Sequence, residues 1–269
     1  IKDNIITKSY YLIPPALYIV KELICSSRIT VLSMLLGTVT VTIIFWSQKN
    51  DWKKKISLKA IGIVLSIGIV GMVLFYLSAS LIGRVNEKNM FQYITTYAGG
   101  SIECLDHYVR FPYEEEKSDI VGNETFYMLI QSLDKYHITH THIAEKQTAH
   151  LSFRYYYDSM IGNVYTAYRR WHHDFGWLGI LILNGFMAVV FAIGYYIHKY
   201  RPNIKFNELL TVVYMYLVYC VYMHCIDSYF YTTVFQVTFV TNLILFTIIY
   251  YVLYRSKFTV IIRPEKQKS

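Results

Sequence analysis

The densest group of chemically useful side chains in this sequence is Arg169-Arg170-Trp171-His172-His173-Asp174, followed by Phe175-Gly176. On a helix, Arg169 and His173 fall one turn apart on one face, and Arg170 and Asp174 on the neighbouring face. Arginine offers a planar fork of donors that fits phosphate oxygens. Histidine exchanges protons near neutral pH. A cation, a proton carrier and a carboxylate beside an apolar run suit a lipid-linked phosphate substrate. The plainer alternative is an interfacial anchor, since Arg, Trp and His also mark helix ends at a membrane headgroup layer.

Other candidates are weaker. His137-Ile138-Thr139-His140-Thr141-His142 places His140 and His142 on one side of an extended segment, which invites a metal. No HExxH or CxxC spacing or carboxylate pair accompanies them, so a surface histidine cluster without metal is the better reading. Glu114-Glu115-Glu116 reads as a solvated turn, and Asn123-Glu124-Thr125 matches the short, common glycosylation pattern. Gly99-Gly100 interrupts a helix-compatible stretch, and predicts either a plain turn or a close approach of backbone to a ligand. Cys25, Cys104, Cys220 and Cys225 form no CxxC pair and read as buried free thiols rather than a disulfide framework or zinc site.

The elements that must position these residues are set by hydropathy. Charged residues make up 16% of the chain, against about a quarter in an ordinary soluble domain. Hydrophobic residues make up 54%, and the mean hydropathy is +0.31. The 27 tyrosines suit a chain that repeatedly meets a membrane–water interface. A span needs about 20 apolar residues. Five stretches qualify: Ile29 to Trp46, Ile56 to Ile82, and about Phe175 to Ile197, Leu209 to Ile226 and Val234 to Tyr254. Residues 1–27 contain a short apolar run broken by Pro14-Pro15, and predict an interfacial or re-entrant segment. The chain starts at Ile1 with no basic leader, and reads as the C-terminal part of a longer protein with further spans upstream.

The net charge of +8 is carried largely by short loops, which argues for topology signals and against nucleic acid. The basic segments are Lys49 to Lys55, His198 to Lys205 and the tail from Arg255. With five spans all three fall on one side, predicted to be cytoplasmic. The expected organisation is therefore an all-α polytopic helical bundle in five parts. Residues 28–82 form two spans, 83–174 an extracytoplasmic loop, 175–254 three spans, and 255–269 a basic cytoplasmic tail. A loop of about ninety residues should hold its own helices. Glu124 to Tyr136 has helical apolar spacing, and Met160 to Trp171 predicts a second helix. Seven of the nine histidines, and Arg84, Arg110, Arg154, Arg169 and Arg170, lie in this loop. Arg28 starts the first span at its outer end, where it would snorkel or face a wet cavity.

Two stretches resemble a known family. Tyr93-Ile94-Thr95-Thr96-Tyr97-Ala98-Gly99-Gly100-Ser101-Ile102-Glu103-Cys104-Leu105-Asp106 resembles the start of the large outer loop in bacterial oligosaccharide repeat-unit polymerases, the O-antigen and capsule polymerases. Gly162-Asn163-Val164-Tyr165-Thr166-Ala167-Tyr168-Arg169-Arg170, with Asp174-Phe175-Gly176-Trp177-Leu178-Gly179, resembles the segment that re-enters the membrane in that family. The resemblance covers most of the chain from about Arg28. It implies a multi-pass glycosyltransferase of the bacterial inner membrane. Such an enzyme moves a glycan from one undecaprenyl-pyrophosphate carrier to a second carrier-linked repeat unit, with no metal or cofactor expected. Partners would be the lipid-linked oligosaccharide, membrane lipid, a chain-length regulator and a flippase. By this resemblance Arg169, Arg170, His173 and Asp174 carry the chemistry. Arg28, Arg84, Arg110, Arg154, Tyr97, Gly99, Gly100 and His172 would bind substrate. Fixed guanidinium groups would stabilise the charge gained by the leaving pyrophosphate. Two alternatives share the architecture: a flippase for lipid-linked sugar, and a glycan ligase of the O-antigen type.

Overall fold

The computed structural model describes residues 13–24, 28–55, 57–59, 62, 66, 90–111, 120–141, 151–156, 159–201 and 206–252. The protein is mostly helical, as its composition predicts, with one small hairpin. Most of the predicted second span, with the acidic run 114–116, His142, His150, Arg84 and the basic tail, lies outside the described residues.

The first helix, α1 (Ile13–Ile24), begins at the double proline. Proline is tolerated in a first turn because the N–H groups there have no intrahelical acceptor. The prolines therefore start this helix rather than break it. Helix α2 (Arg28–Lys49) coincides with the first predicted span.

Helix α3 (Met90–Arg110) runs straight through Gly99-Gly100, which corrects the expectation of a turn or ligand loop there. Each glycine costs a helix roughly 1 kcal/mol relative to alanine. One face of α3 offsets that cost by packing: Ser101, Cys104 and Tyr108, spaced i, i+3, i+7, are all buried. Turns over 120–126 lead into α4 (Tyr127–Lys135), inside the stretch whose spacing predicts a helix.

The predicted helix from Met160 is corrected. Strand β1 (Arg154–Tyr156) pairs antiparallel with β2 (Ser159–Gly162), Tyr155 facing Met160. Gly162 has φ +145°, outside the helical region, so a helix cannot pass through it. The helix starts instead at Ala167.

That helix, α5 (Ala167–Tyr200), is interrupted at Gly176, whose φ of 67° and ψ of −159° are open almost only to glycine. The break separates a first part, 167–175, from an apolar second part, 177–200. Helix α6 (Asn207–Tyr222) follows and tightens into a 3₁₀ turn at Met223–Cys225. A short helix α7 (Tyr229–Val234) and then α8 (Val237–Tyr250) complete the described chain. Helix α7 fills the connection between α6 and α8, and its Phe230, Tyr231 and Thr233 are buried.

Helix α5 and the helical stretch Asn207–Cys225 are long and apolar enough to cross a membrane. Only 11% and 22% of their apolar windows are buried inside the protein, whereas a soluble core helix is mostly covered. Trp177, Leu178, Leu181, Ile182, Phe186 and Val189 make one exposed apolar face of α5.

The ends of these helices meet in two groups. The Gln48 side-chain amide donates to the His198 carbonyl at 3.1 Å, and Lys199 lies over the rings of Trp52, Tyr195 and Tyr200. The basic turn after α2 therefore meets the basic end of α5. Phe206, before α6, packs against Tyr250 and Tyr251 at the far end of α8. At the opposite end, Arg170 meets Asp227, between α6 and α7.

Candidate functional site

The first part of α5 docks onto the turn 120–126, α3 and the hairpin, and this junction gathers the charged residues. Trp171 anchors it. Its ring is fully buried among Ala167, Phe230 and Tyr231, and its Nε1–H donates to Ser228 Oγ at 2.9 Å. With Trp171 fixed inward, helical geometry turns Arg169 and His173 toward the turn 120–126, on the shared face that their spacing predicts.

Arg169 forms a buried ion pair with Glu124; their side chains are 2% and 9% exposed. The opposite oxygen, Glu124 Oε1, lies 3.6 Å from His173 Nε2, an electrostatic contact longer than a hydrogen bond. The other nitrogen, His173 Nδ1, hydrogen-bonds with the Tyr108 hydroxyl at 3.1 Å. The Tyr108 ring takes Arg169 at 4.8 Å from its centroid and Arg154 at 5.5 Å. Two guanidinium groups on one aromatic ring offset part of the cost of burying them.

Arg154 is fully buried, and the hairpin delivers it to this group. Its Nε donates to the Tyr165 hydroxyl at 2.9 Å and its Nη1 to the Phe111 carbonyl at 2.9 Å. Tyr165 in turn donates to the Ser152 carbonyl at 2.9 Å. Burial raises the Tyr165 hydroxyl above its usual range, against the lowering pull of Arg154.

Asp174 accepts the backbone N–H of Thr125 at 2.6 Å and of Glu124 at 3.3 Å. It therefore holds the segment that carries Glu124. Burial pushes the Asp174 carboxyl above the ordinary carboxylate range, while the Thr125 hydrogen bonds, His173 and Arg169 pull it back down. Arg170 takes the opposite direction: its Nε and Nη2 donate to the two oxygens of Asp227 at 2.7 and 3.1 Å. Arg170 and Asp174 thus share a side of the helix without pairing with each other.

The remaining predicted residues are more scattered. The ring of His172 lies 4.8 Å from Trp177 and 6.1 Å from Tyr108, at the edge of the cluster. Arg110 is exposed at the end of α3 and pairs with Asp106 one turn back, outside the cluster. Gly99 and Gly100 lie about two turns before Tyr108 on α3, roughly 12 Å along the helix. Tyr97 sits on the same helix, and Arg28 opens α2. Asn123 and Thr125 are buried, so the glycosylation pattern is closed to a modifying enzyme in the folded protein. Their buried segment instead presents Glu124.

His137 and His140 approach each other with ring centroids 6.5 Å apart. Their loop is organised by Asp134, which accepts from the Thr139 and Thr141 hydroxyls and from the Thr141 backbone N–H. Among the described residues, no group of three or more His, Cys, Asp or Glu side chains could hold a metal ion.

Residue type and spacing did not single out Glu124, Tyr108, Tyr165 or Asp227. Glu124 and Asp227 are single carboxylates 45 and 57 positions from their arginines, and only the fold brings them together. No protein-family model, curated protein or solved structure matches the chain.

Proposed function

We propose that this chain is part of a multi-pass glycosyltransferase. It would polymerise undecaprenyl-pyrophosphate-linked oligosaccharide repeat units into O-antigen, capsule or exopolysaccharide at the outer face of a bacterial cytoplasmic membrane. In this reading the basic ends of α2 and α5 face the cytoplasm, and the α3–α4–hairpin region is extracytoplasmic. The observation that carries it is the position of the Glu124–Arg169–His173–Tyr108 group. It lies immediately before the Gly176 break, where the apolar part of α5 begins. A lipid-linked donor presents its pyrophosphate at that level.

The chemistry follows from the contacts. An acceptor sugar hydroxyl attacks the anomeric carbon of the donor, the bond from that carbon to pyrophosphate oxygen breaks, and the electron pair leaves with the lipid pyrophosphate. His173, at 11% the most exposed of the Arg169–Glu124–His173 group, takes the acceptor proton at Nδ1 through the Tyr108 hydroxyl bonded to it, with Nε2 facing Glu124. Glu124 stabilises the imidazolium that results. Arg169 is too deeply buried to reach a lipid headgroup, and its role is to hold Glu124. Arg170 is the cation for the leaving group: its fork is pre-oriented by Asp227, and a pyrophosphate, more highly charged, competes for it. Asp174 positions the Glu124 segment rather than meeting substrate.

A gel of surface polysaccharide from cells lacking the gene tests this reading. Loss of the ladder, with one repeat unit retained, supports a polymerase. Finished polymer left on the lipid carrier indicates a ligase, and repeat units stranded on the cytoplasmic side indicate a flippase. Arg170→Ala should reproduce the deletion at normal protein level.

A further inference from the structure

A second feature lies apart from the charged cluster. Helix α4, the loop after it and the α7–α8 turn line an open cleft of about 700 Å³. That is within the range of about 300–1,000 Å³ usual for small-molecule sites. Its lining combines Gln131 of α4 with Gln236 and Thr238 beyond it, Ser132, whose hydroxyl donates to the Met128 carbonyl at 2.6 Å and so can only accept, and the apolar Met128 and Val237. Side-chain amides and hydroxyls both donate and accept, as neighbouring sugar hydroxyls require. Apolar side chains suit the C–H face of a pyranose ring.

The lining carries one cation, Lys135, and one carboxylate, Asp134, and the lysine is the more exposed of the two. Lys135, His137 and His140 are exposed on it. Its one carboxylate, Asp134, has both oxygens engaged by Thr139 and Thr141, which ties that charge to the loop backbone. The cleft also shares a segment with the cluster. Glu124 precedes α4, and the Phe126 ring between them packs on Phe175, Tyr231 and Phe235.

We propose that this cleft is a glycan site. It holds the acceptor's oligosaccharide and prefers one carrying a carboxylate sugar, with Gln131 and Gln236 reading hydroxyls and Lys135 and His140 facing the carboxylate. The acceptor assignment rests on the polymerase reading; the binding of an acidic glycan does not.

The test uses the full chain in lipid nanodiscs and two probes: a tetrasaccharide of alternating glucuronate and N-acetylglucosamine, and neutral cellotetraose. Calorimetry or saturation-transfer NMR should show saturable binding of the acidic probe and at least tenfold weaker binding of the neutral one. Gln131→Leu with Gln236→Leu should weaken the acidic probe by about tenfold or more, the scale of two lost hydrogen bonds. Lys135→Glu, an exposed change that leaves the fold intact, should abolish the preference for the acidic probe. No binding, equal binding of both probes, or unchanged binding in the double variant with an unchanged melting curve would overturn the proposal. The two readings fail separately. Lost ladder on gene deletion without probe binding removes the cleft assignment alone. Probe binding with an intact ladder removes the polymerase and acceptor roles and keeps the glycan site.

Discussion

Arg169, in the first turn of α5, and Glu124, in the turn before α4, form a buried ion pair, their side chains 2% and 9% exposed. Removing one partner of a buried pair leaves an uncompensated charge, which costs about 3–5 kcal/mol. Glu124→Leu and Arg169→Met alone should therefore each lower the melting temperature sharply or prevent accumulation. Glu124→Leu with Arg169→Met together should recover most of the loss, because two apolar side chains can fill the space. Melting curves in detergent give the cycle. Additive losses would mean the pair is not coupled.

Asp174 gives the fold a pH dependence of defined sign. Burial holds its folded-state value above the ordinary 3.8. The folded protein therefore keeps this proton where the unfolded chain has lost it. The contribution of Asp174 to stability falls as pH rises from about 4 through its folded value. Asp174→Asn keeps an acceptor for the Thr125 N–H and removes that titration. Its melting temperature should fall less than wild type between pH 4 and 7. Parallel profiles would refute the assignment.

Gly176 occupies a conformation that costs other residues about 1–3 kcal/mol. A β-carbon there would meet open space, so the penalty is in the backbone and not in a clash. Gly176→Ala should destabilise by that amount, and Gly176→Val by more. If Gly176→Ala melts as wild type does, the break is not fixed by this residue.

Cys104 and Cys225 should differ in reactivity. Cys104 is fully buried, with its thiol pushed up to about 11 and its Sγ–H directed at the Gly162 carbonyl. Cys225 is exposed at the end of the 3₁₀ turn after α6. Maleimide at pH 7.5, followed by peptide mass spectrometry, should modify Cys225 and spare Cys104 until the protein is denatured. Labelling of Cys104 in the native protein would show that the hairpin does not pack on α3.

Sequence patterns carried those parts of the structure that depend on local spacing. The apolar runs locate α2, α5, α6 and α8, and the register of Arg169 and His173 on one helical face holds. Pairings across long separations were not legible. Glu124 resembled part of a glycosylation pattern because nothing local marks it as the partner of Arg169. Gly99-Gly100 resembled a break because the packing that sustains α3, at Cys104 and Tyr108, involves β2 and Tyr165, some sixty residues away. The hairpin was missed because the apolar residues from Met160 onward fit a helix, and only Gly162 opposes it.

In the proposed reaction His173, supported by Glu124 and Tyr108, moves the acceptor proton during glycan polymerisation at the membrane surface. The most direct measurement is the surface-polysaccharide ladder of cells carrying only His173→Asn, with membrane levels matched to wild type. Asparagine can still bond Tyr108, but it cannot accept the proton. A single repeat unit with no ladder is the predicted result. A ladder of wild-type length and intensity would contradict it.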